Sequence, residues 1–155
     1  MTIVDDGTPT EILLIEDNPR DAELTMRAFK KHNLVNGVVW LRDGAEALEF
    51  IFGERAGLRP ASSRLPKVIL LDLKLPKVDG LELLHRLKSD ASTKLIPVVV
   101  LTSSREEQDI VRTYQLGANS YVVKPVDFEK FSEAMVHLGL YWLLVNQPPD
   151  RIPTT

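Results

Sequence analysis

The chain of 155 residues contains no cysteine. Disulfide bonds, thiol catalysis and cysteine metal sites are therefore excluded, and the absence suits the reducing cytoplasm, where we expect the protein to act. The 3 histidines, His32, His85 and His137, are scattered along the chain without the spacing of a metal site. We expect surface or packing roles for all of them.

The chain also lacks any long apolar run. None approaches the roughly 18 residues that a membrane-spanning helix needs, and residues 1–10 are polar and acidic, unlike a signal peptide. The net charge of -3 gives no general attraction to nucleic acid or to anionic membranes, so neither is an expected partner. The length suits one domain, which we expect at residues 11–146, between a flexible N-terminus at residues 1–10 and a tail at residues 147–155.

Short apolar runs alternate with segments of helical spacing. The runs lie at residues 12–15, 37–41, 68–71, 97–101 and 121–123. This alternation predicts a parallel sheet with helices on both faces and right-handed crossovers. Five strands in so short a chain suit a flavodoxin-like α/β fold, a doubly wound (βα)5 sheet of order 2-1-3-4-5. The spacing also predicts a helix at residues 105–116 that buries Ile110, Val111 and Tyr114.

Polar residues lie at the carboxyl ends of four predicted strands: Glu16 and Asp17, then Asp72, Thr102 and Lys124. Because the carboxyl ends of parallel strands share one edge of the sheet, we expect these side chains to converge. Residues at strand ends are often polar simply because they are exposed to solvent. That explanation suffices for any one of these residues, but it is a poor explanation for the whole set.

The residue types in this set point to phosphoryl chemistry. Clustered carboxylates repel one another unless a cation compensates them, and Mg²⁺ favours such oxygen ligands. A carboxylate can act as a nucleophile and form an aspartyl phosphate. A metal ion and a lysine can stabilise the charge on the phosphoryl oxygens, and a threonine hydroxyl can donate a hydrogen bond. The set therefore predicts a place where a phosphoryl group is accepted and held.

Four ordered motifs carry a family resemblance: IEDN at residues 15–18, LLDLKLP at 70–76 with DG at 79–80, LTS at 101–103 and GANSYVVKP at 117–125. Over roughly residues 10–140 the chain resembles the receiver domain of bacterial two-component response regulators. The resemblance implies that Asp72 accepts a phosphoryl group from a histidine kinase. It also implies a signalling protein rather than an enzyme, one that assists its own phosphotransfer and dephosphorylation.

The same resemblance implies roles for the residues around Asp72. Asp17 and Asp72 would bind Mg²⁺ directly, together with the backbone carbonyl of Lys74. Glu16 would act through water, and it is a mild departure, because the family often has aspartate at this position.

Further roles in the resemblance concern the phosphoryl group and its effect. Thr102 and Lys124 would contact the phosphoryl oxygens. Tyr121 matches an aromatic position that turns inward on activation, so it would form a switch with Thr102. In the family the peptide bond corresponding to Lys124–Pro125 is usually cis.

A narrower resemblance is to the single-domain regulators that are paired with bacterial phytochromes. It depends on the long arginine-containing loop at residues 53–66, on the ending YWLLVN at residues 141–146 and on the absence of an effector domain. Few residues follow the last predicted helix, so we expect no DNA-binding domain. Output would then pass through protein contacts or a phosphorelay, and the partner kinase would be a bacteriophytochrome.

Three other readings of the pattern stay open. A phosphatase of the haloacid dehalogenase type needs a second acid two residues after the nucleophile, where this chain has Lys74. A flavodoxin-like FMN protein needs a phosphate-binding loop after the first strand, where Glu16 and Asp17 would repel a phosphate. A receiver-shaped interaction scaffold that takes no phosphate is disfavoured because every motif residue is present.

The last predicted helix, residues 128–145, carries an apolar stripe with the 3-4 spacing of a coiled-coil seam. Its end, residues 140–145, is apolar on every face, so it should be buried on every face. We therefore expect a homodimer through this helix. Packing of the stripe on its own sheet is the alternative, and it explains the middle of the stripe well. The expected dimer residues are Phe128, Phe131, Met135, Leu138, Trp142, Leu143 and Val145.

Overall fold

A computed structural model describes residues 10–31, 37–53 and 66–149 of the chain. The predicted flexible N-terminus at residues 1–10 lies outside the described residues except for Thr10, and of the predicted tail only residues 147–149 are described. Most of the arginine-containing loop, residues 54–65, also lies outside them. Within the described ranges, no helix is long and apolar enough to cross a membrane.

Strands and helices alternate five times along the chain, and the last helix runs on into a π-helical segment. The elements are β1 (Ile12–Ile15), α1 (Pro19–Lys31), β2 (Val38–Leu41), α2 (Gly44–Phe52), β3 (Val68–Leu71), α3 (Gly80–Ser89), β4 (Val98–Thr102), α4 (Glu107–Gln115), β5 (Ser120–Val123), α5 (Phe128–Gly139) and the π-helical segment (Leu140–Val145).

All five strands are parallel, and their order is β2-β1-β3-β4-β5, so the predicted order is confirmed. Strands β1, β3 and β4 are buried along their whole length, as expected for strands covered on both faces. The pairing keeps their ends level, because Ile15 lies opposite Leu71 and Thr102 lies opposite Val123. The residues that follow these strands therefore emerge at one edge.

The core has one layer on each face of the sheet. On one face, Leu13 and Ile15 of β1 belong to a cluster with side chains of α2 and α3. On the other face, Ile12 and Leu14 belong to a cluster with α1 and α5. Because successive residues of a strand point to opposite faces, one short apolar run supplies both layers.

Two glycines allow helices α2 and α3 to begin close to the loop that follows β3. A Cβ atom on Gly80 would lie 2.5 Å from Leu73 Cα, and the amide of Gly80 donates to the Leu73 carbonyl at 3.0 Å. A Cβ atom on Gly44 would collide with the backbone oxygen of Val78. Only residues without a side chain allow helices α2 and α3 to begin so close to this loop.

The expected buried face of α4 is wrong in two of its three residues. Ile110 is partly buried, but Val111 is 45% exposed and Tyr114 is 50% exposed. The fully buried residue of this helix is Thr113. The helix packs at the edge of the sheet beside β5, so a large part of its apolar surface stays in contact with solvent.

The predicted dimer seam is also wrong in part. Phe131, Met135 and Leu143 are buried in the core of the chain itself, and Leu138 and Trp142 pack against that core. The buried positions of this last stretch fall at intervals of four, at Phe131, Met135, Gly139 and Leu143, rather than at the alternating intervals of three and four that a coiled-coil seam has. The large apolar side chains that remain exposed here are Phe128, Leu140, Tyr141, Leu144 and Val145.

Candidate functional site

Asp72 lies directly after β3, in the middle of the sheet. Its amide donates to the Ile15 carbonyl at 3.0 Å, so the pairing with β1 extends one residue beyond the strand. The side chain is nearly buried. Its Oδ1 accepts a hydrogen bond from the Lys74 amide at 3.1 Å, and its Oδ2 accepts one from Lys124 Nζ at 2.9 Å. The carboxylate is therefore fixed in one orientation.

Glu16 and Asp17 follow β1 and lie beside Asp72. The next residue, Asn18, caps α1, because its Oδ1 accepts hydrogen bonds from the amides of Arg20 and Asp21 at 2.9 and 3.2 Å. This cap fixes the turn between strand and helix. Glu16 is buried, whereas Asp17 is exposed.

The three carboxylates could hold a metal ion together. Ligand oxygens of Glu16, Asp17 and Asp72 all lie within 4.8 Å of one another. A donor set made only of carboxylate oxygens fits a hard divalent cation. One Glu16 oxygen faces Lys124 and the other accepts from the Asn18 amide at 3.2 Å. Asp17 makes no such contacts among the described residues, and it is the more accessible ligand.

Lys124 follows β5 and crosses to the acidic cluster. Its ammonium lies 2.5 Å from Glu16 Oε1, 2.9 Å from Asp72 Oδ2 and 3.0 Å from Asp21 Oδ2, and its side chain is only 9% exposed. The peptide bond to Pro125 is trans, since the described residues include no cis peptide bond. The sequence alone leaves the state of this bond open.

The electrostatics of this cluster follow from burial and from like charge. Burial, with a smaller contribution from the nearby Asp72 carboxylate, raises the pKa of Glu16 to about 8, against the opposing effect of Lys124. Burial by itself lowers the pKa of Lys124, but the Glu16 and Asp72 carboxylates more than offset it, so the net shift is upward. The ammonium stays charged because three carboxylate oxygens surround it.

Thr102 and Tyr121 are linked through Ser104. Thr102 is fully buried, and its Oγ1 accepts a hydrogen bond from the Ser104 amide at 3.4 Å. The Tyr121 hydroxyl donates to the Ser104 carbonyl at 3.0 Å. Ser104 in turn donates from Oγ to Asp109 Oδ2 at 2.6 Å, so the loop between β4 and α4 is bonded on both sides. Burial is the main cause of the raised pKa of Tyr121.

The structure thus brings Glu16, Asp17, Asp72 and Lys124 together, and Thr102 lies at the end of the neighbouring strand β4. The side chain of Lys74 is exposed, and its amide contacts Asp72. Two residues were not predicted from the sequence, Asp21 and Ser104. Asp21 lies in the first turn of α1 rather than at a strand end, so the sequence pattern carried no signal for its contact with Lys124.

The sequence matches the response regulator receiver domain family over residues 12–136. A probable methanogenesis regulatory protein, FilR2 of Methanothrix harundinacea, is 43% identical over 91% of this chain and 88% of its own length. The response regulator Rcp1 of Synechocystis sp. is 37% identical over 87% of this chain and 90% of its own. The chain is therefore similar to both relatives over almost their entire lengths.

Solved structures agree with this assignment. AtBRR, a bacteriophytochrome response regulator, is 53% identical with a TM-score of 0.65 and covers 90% of this chain and 99% of its own. The phosphorylated cyanobacterial phytochrome response regulator RcpA is 37% identical with a TM-score of 0.81, covering 92% and 99%. The Mn²⁺-bound form of Rcp1 is 35% identical with a TM-score of 0.81, covering 91% and 99%. By its fold, its strand-end residues and these matches, the chain belongs to the response regulator receiver family.

Proposed function

We propose that Asp72 is the phosphoacceptor of this response regulator and that a histidine kinase supplies the phosphoryl group. One observation carries the proposal: a nearly buried carboxylate lies 2.9 Å from a buried ammonium and within 4.8 Å of two further carboxylates. A phosphatase of the haloacid dehalogenase type is disfavoured because Lys74 stands where its second acid is needed, and an FMN protein because Glu16 and Asp17 would repel a phosphate. The phosphorylated structure of the related RcpA supports the same role for a receiver of this type.

In the proposed reaction an oxygen of the Asp72 carboxylate attacks the phosphorus atom of the kinase phosphohistidine. The phosphorus–nitrogen bond breaks as the phosphorus–oxygen bond forms. Lys124 keeps its positive charge beside the reacting group, and the Thr102 hydroxyl donates to a phosphoryl oxygen. Fixed charges and donors of this kind stabilise the charge that the transferred group spreads over its oxygens.

The acidic cluster is the proposed Mg²⁺ site. Asp17, Asp72 and the backbone carbonyl of Lys74 would bind the ion directly, and Glu16 would act through water. The ion would supply positive charge to the phosphoryl oxygens. The contacts of Glu16 support an indirect, water-mediated role, because its two carboxylate oxygens already face Lys124 and the Asn18 amide. The Mn²⁺-bound structure of Rcp1 supports a divalent cation in this family.

Intact mass spectrometry tests the phosphoacceptor directly. Incubation with acetyl phosphate and Mg²⁺ should add one phosphoryl group to the wild type and none to Asp72→Asn. Asp79→Asn is the matched control, because Asp79 is an exposed aspartate of the same loop. A wild type that never gains the phosphoryl mass would favour the remaining alternative, an interaction scaffold that takes no phosphate.

The proposed partner kinase is a bacteriophytochrome. The support is the similarity to AtBRR and RtBRR, which are bacteriophytochrome response regulators 53% and 50% identical to this chain. Phosphotransfer from a panel of purified histidine kinases would test it. A bacteriophytochrome should transfer its phosphoryl group faster than unrelated kinases do. Equal transfer from all of them would remove the proposed pairing. The lack of cysteine supports action in the cytoplasm.

We also propose that phosphorylation changes the loop after β4. A Thr102 hydroxyl that turns to a phosphoryl oxygen gives up its bond to the Ser104 amide. The Ser104 carbonyl holds the Tyr121 hydroxyl, so movement of this loop would release the tyrosine. The signal would then pass to a protein partner or along a phosphorelay.

The last proposal is a homodimer through the end of the last helix. The exposed apolar side chains of Leu140, Tyr141, Leu144 and Val145 support it. The interface would therefore use these residues and Phe128, rather than the buried Phe131, Met135 and Leu143.

A further inference from the structure

The ammonium group of Lys124 has three N–H donors, and among the described residues three carboxylates face it. Two of these, Glu16 and Asp72, belong to the acidic cluster. The third is Asp21, whose Oδ2 lies 3.0 Å from Lys124 Nζ. Asp21 is not one of the carboxylates grouped as potential metal ligands. Its side chain therefore has a different task from those of Glu16, Asp17 and Asp72.

The position of Asp21 is fixed by the start of α1. Its amide donates to the Asn18 cap at 3.2 Å, and its carbonyl accepts from Thr25 Oγ1 at 2.8 Å. Its side chain is 22% exposed, so it reaches Lys124 from the rim of the site. A carboxylate in the first turn of a helix is also favoured by the positive end of the helix dipole. The first turn of α1 thus holds the Asp21 carboxylate in place, whereas the Lys124 ammonium is carried on a flexible chain of four carbons.

The other two partners of Lys124 are engaged in the chemistry of the site. Asp72 would gain a covalent bond to phosphorus, and Glu16 would also interact, through water, with the proposed divalent cation. Each of these two carboxylates would then share its charge between Lys124 and a second partner. Asp21 has no competing partner there among the described residues, so its contact persists. We propose that Asp21 is a positioning residue that keeps the Lys124 ammonium beside Asp72 during phosphoryl transfer, an inference that rests on the proposed function.

The role predicts a difference between two substitutions of the same residue. Asp21→Ala removes both the charge and the acceptor oxygen, so the Lys124 ammonium loses the contact that keeps it in position. Asp21→Asn removes the charge but keeps an oxygen that can accept a hydrogen bond from the ammonium. A positioning role therefore requires that asparagine rescue the reaction. A general electrostatic role predicts instead that both variants behave alike, because each removes one negative charge.

The first measurement is the rate of phosphorylation by acetyl phosphate with Mg²⁺, taken over a range of donor concentrations. Asp21→Ala should lower the saturating rate by about threefold to tenfold with little change in the half-saturating concentration. Asp21→Asn should recover most of the rate. Glu23→Ala is the control, because Glu23 is an exposed carboxylate on the same helix that pairs with Arg27; its rate should equal that of the wild type.

The second measurement needs neither metal nor phosphate. In metal-free protein, NMR of the Lys124 ammonium should show slow hydrogen exchange in the wild type and in Asp21→Asn, and several-fold faster exchange in Asp21→Ala. Equal rates and equal exchange in the wild type and Asp21→Ala, or an Asp21→Asn variant as impaired as Asp21→Ala, would overturn the inference. A wild type that takes no phosphoryl group would overturn the proposed function itself, and the inference with it.

Discussion

At the scale of single residues, the site depends on an excess of buried negative charge around one ammonium group. Glu16 and Asp72 are buried, and both face Lys124. The raised pKa of Glu16 expresses the cost of keeping a carboxylate charged at this depth. A divalent cation and a phosphoryl group would each change that balance. We therefore expect the site to respond to its ligands through changes in charge.

The hydroxyl of Thr102 provides a test of the proposed switch. Thr102→Val keeps the shape of the side chain but removes the oxygen that bonds the Ser104 amide. This variant should still accept the phosphoryl group, because Asp72 and Lys124 are intact. It should lose most of the change in the Tyr121 NMR signals that follows phosphorylation of the wild type.

Thr113→Val is the matched control for that experiment. Thr113 is also fully buried, but it lies in α4, and its hydroxyl has no hydrogen-bond partner among the described residues. This variant should keep the full response of Tyr121. A Thr102→Val protein with an undiminished response would show that Thr102 does not couple the phosphoryl group to the tyrosine.

Sequence pattern predicted which residues lie at the strand ends, because a strand of known direction delivers its last residue to a known edge. It did not predict the Asp21 contact. Asp21 lies in a helix rather than at a strand end, and only the angle of α1 to the sheet brings its carboxylate to Lys124. Ser104 was missed for a similar reason, since its role depends on the path of a loop.

At the scale of elements, helix caps are easier to recognise in a sequence than helix faces. Asn18 and Asp43 are of the residue types that favour the N-cap position, and both accept hydrogen bonds from amides of the first turn of α1 and α2. The buried face of α4 was not predicted correctly, since apolar spacing identifies a stripe but not whether another element covers it. The π-helical segment was also missed, because the run of residues 140–145 is apolar at every position and therefore has no readable period.

The cap of α2 gives a prediction about stability. Asp43 Oδ1 accepts from the Glu46 amide at 2.7 Å. Asp43→Ala should lower the free energy of unfolding by about 1 kcal/mol, whereas Asp43→Asn should lose less. Asp79→Ala is the control, because Asp79 precedes α3 without a side-chain capping bond. Urea unfolding measures all three, and an Asp79→Ala loss as large as that of Asp43→Ala would contradict the role of the cap.

The same cap should depend on pH. The hydrogen bond from the Glu46 amide is the main cause that lowers the pKa of Asp43 below its ordinary value of 3.8, and Lys77 contributes. Because the folded-state pKa is the lower one, the stabilisation is present above pH 3.8 and is lost as the pH falls through the folded value. The stability difference between the wild type and Asp43→Asn should therefore shrink below that pH. An unchanged difference in acid would contradict this account.

At the scale of the whole molecule, the last helix presents an apolar surface at its end. Leu144 is 64% exposed and Val145 is 69% exposed, beside the exposed Leu140 and Tyr141. Large exposed apolar surfaces often serve for association, and their burial contributes about 25 cal/mol per Å² before the costs of association. A second copy related by two-fold symmetry could cover this surface on both subunits at once.

Sedimentation tests the dimer. The wild type should sediment as a dimer, and Leu144→Glu with Val145→Glu should raise the dissociation constant by at least about tenfold, because the new carboxylates would be buried in the interface. Val126→Glu is the control, since Val126 is 99% exposed and lies away from the last turn. A wild type that stays monomeric at high micromolar concentration, with and without phosphate, would remove the proposal.

The central claim is that the phosphoryl group is carried by the Asp72 carboxylate. Borohydride reduces an aspartyl phosphate to homoserine and leaves ordinary carboxylates intact, so it marks the acceptor permanently. After phosphorylation by a histidine kinase, reduction and proteolysis, peptide mass spectrometry should find homoserine at position 72 and aspartate at positions 17, 21 and 79. Homoserine at another position, or at none in protein that has gained the phosphoryl mass, would contradict the account.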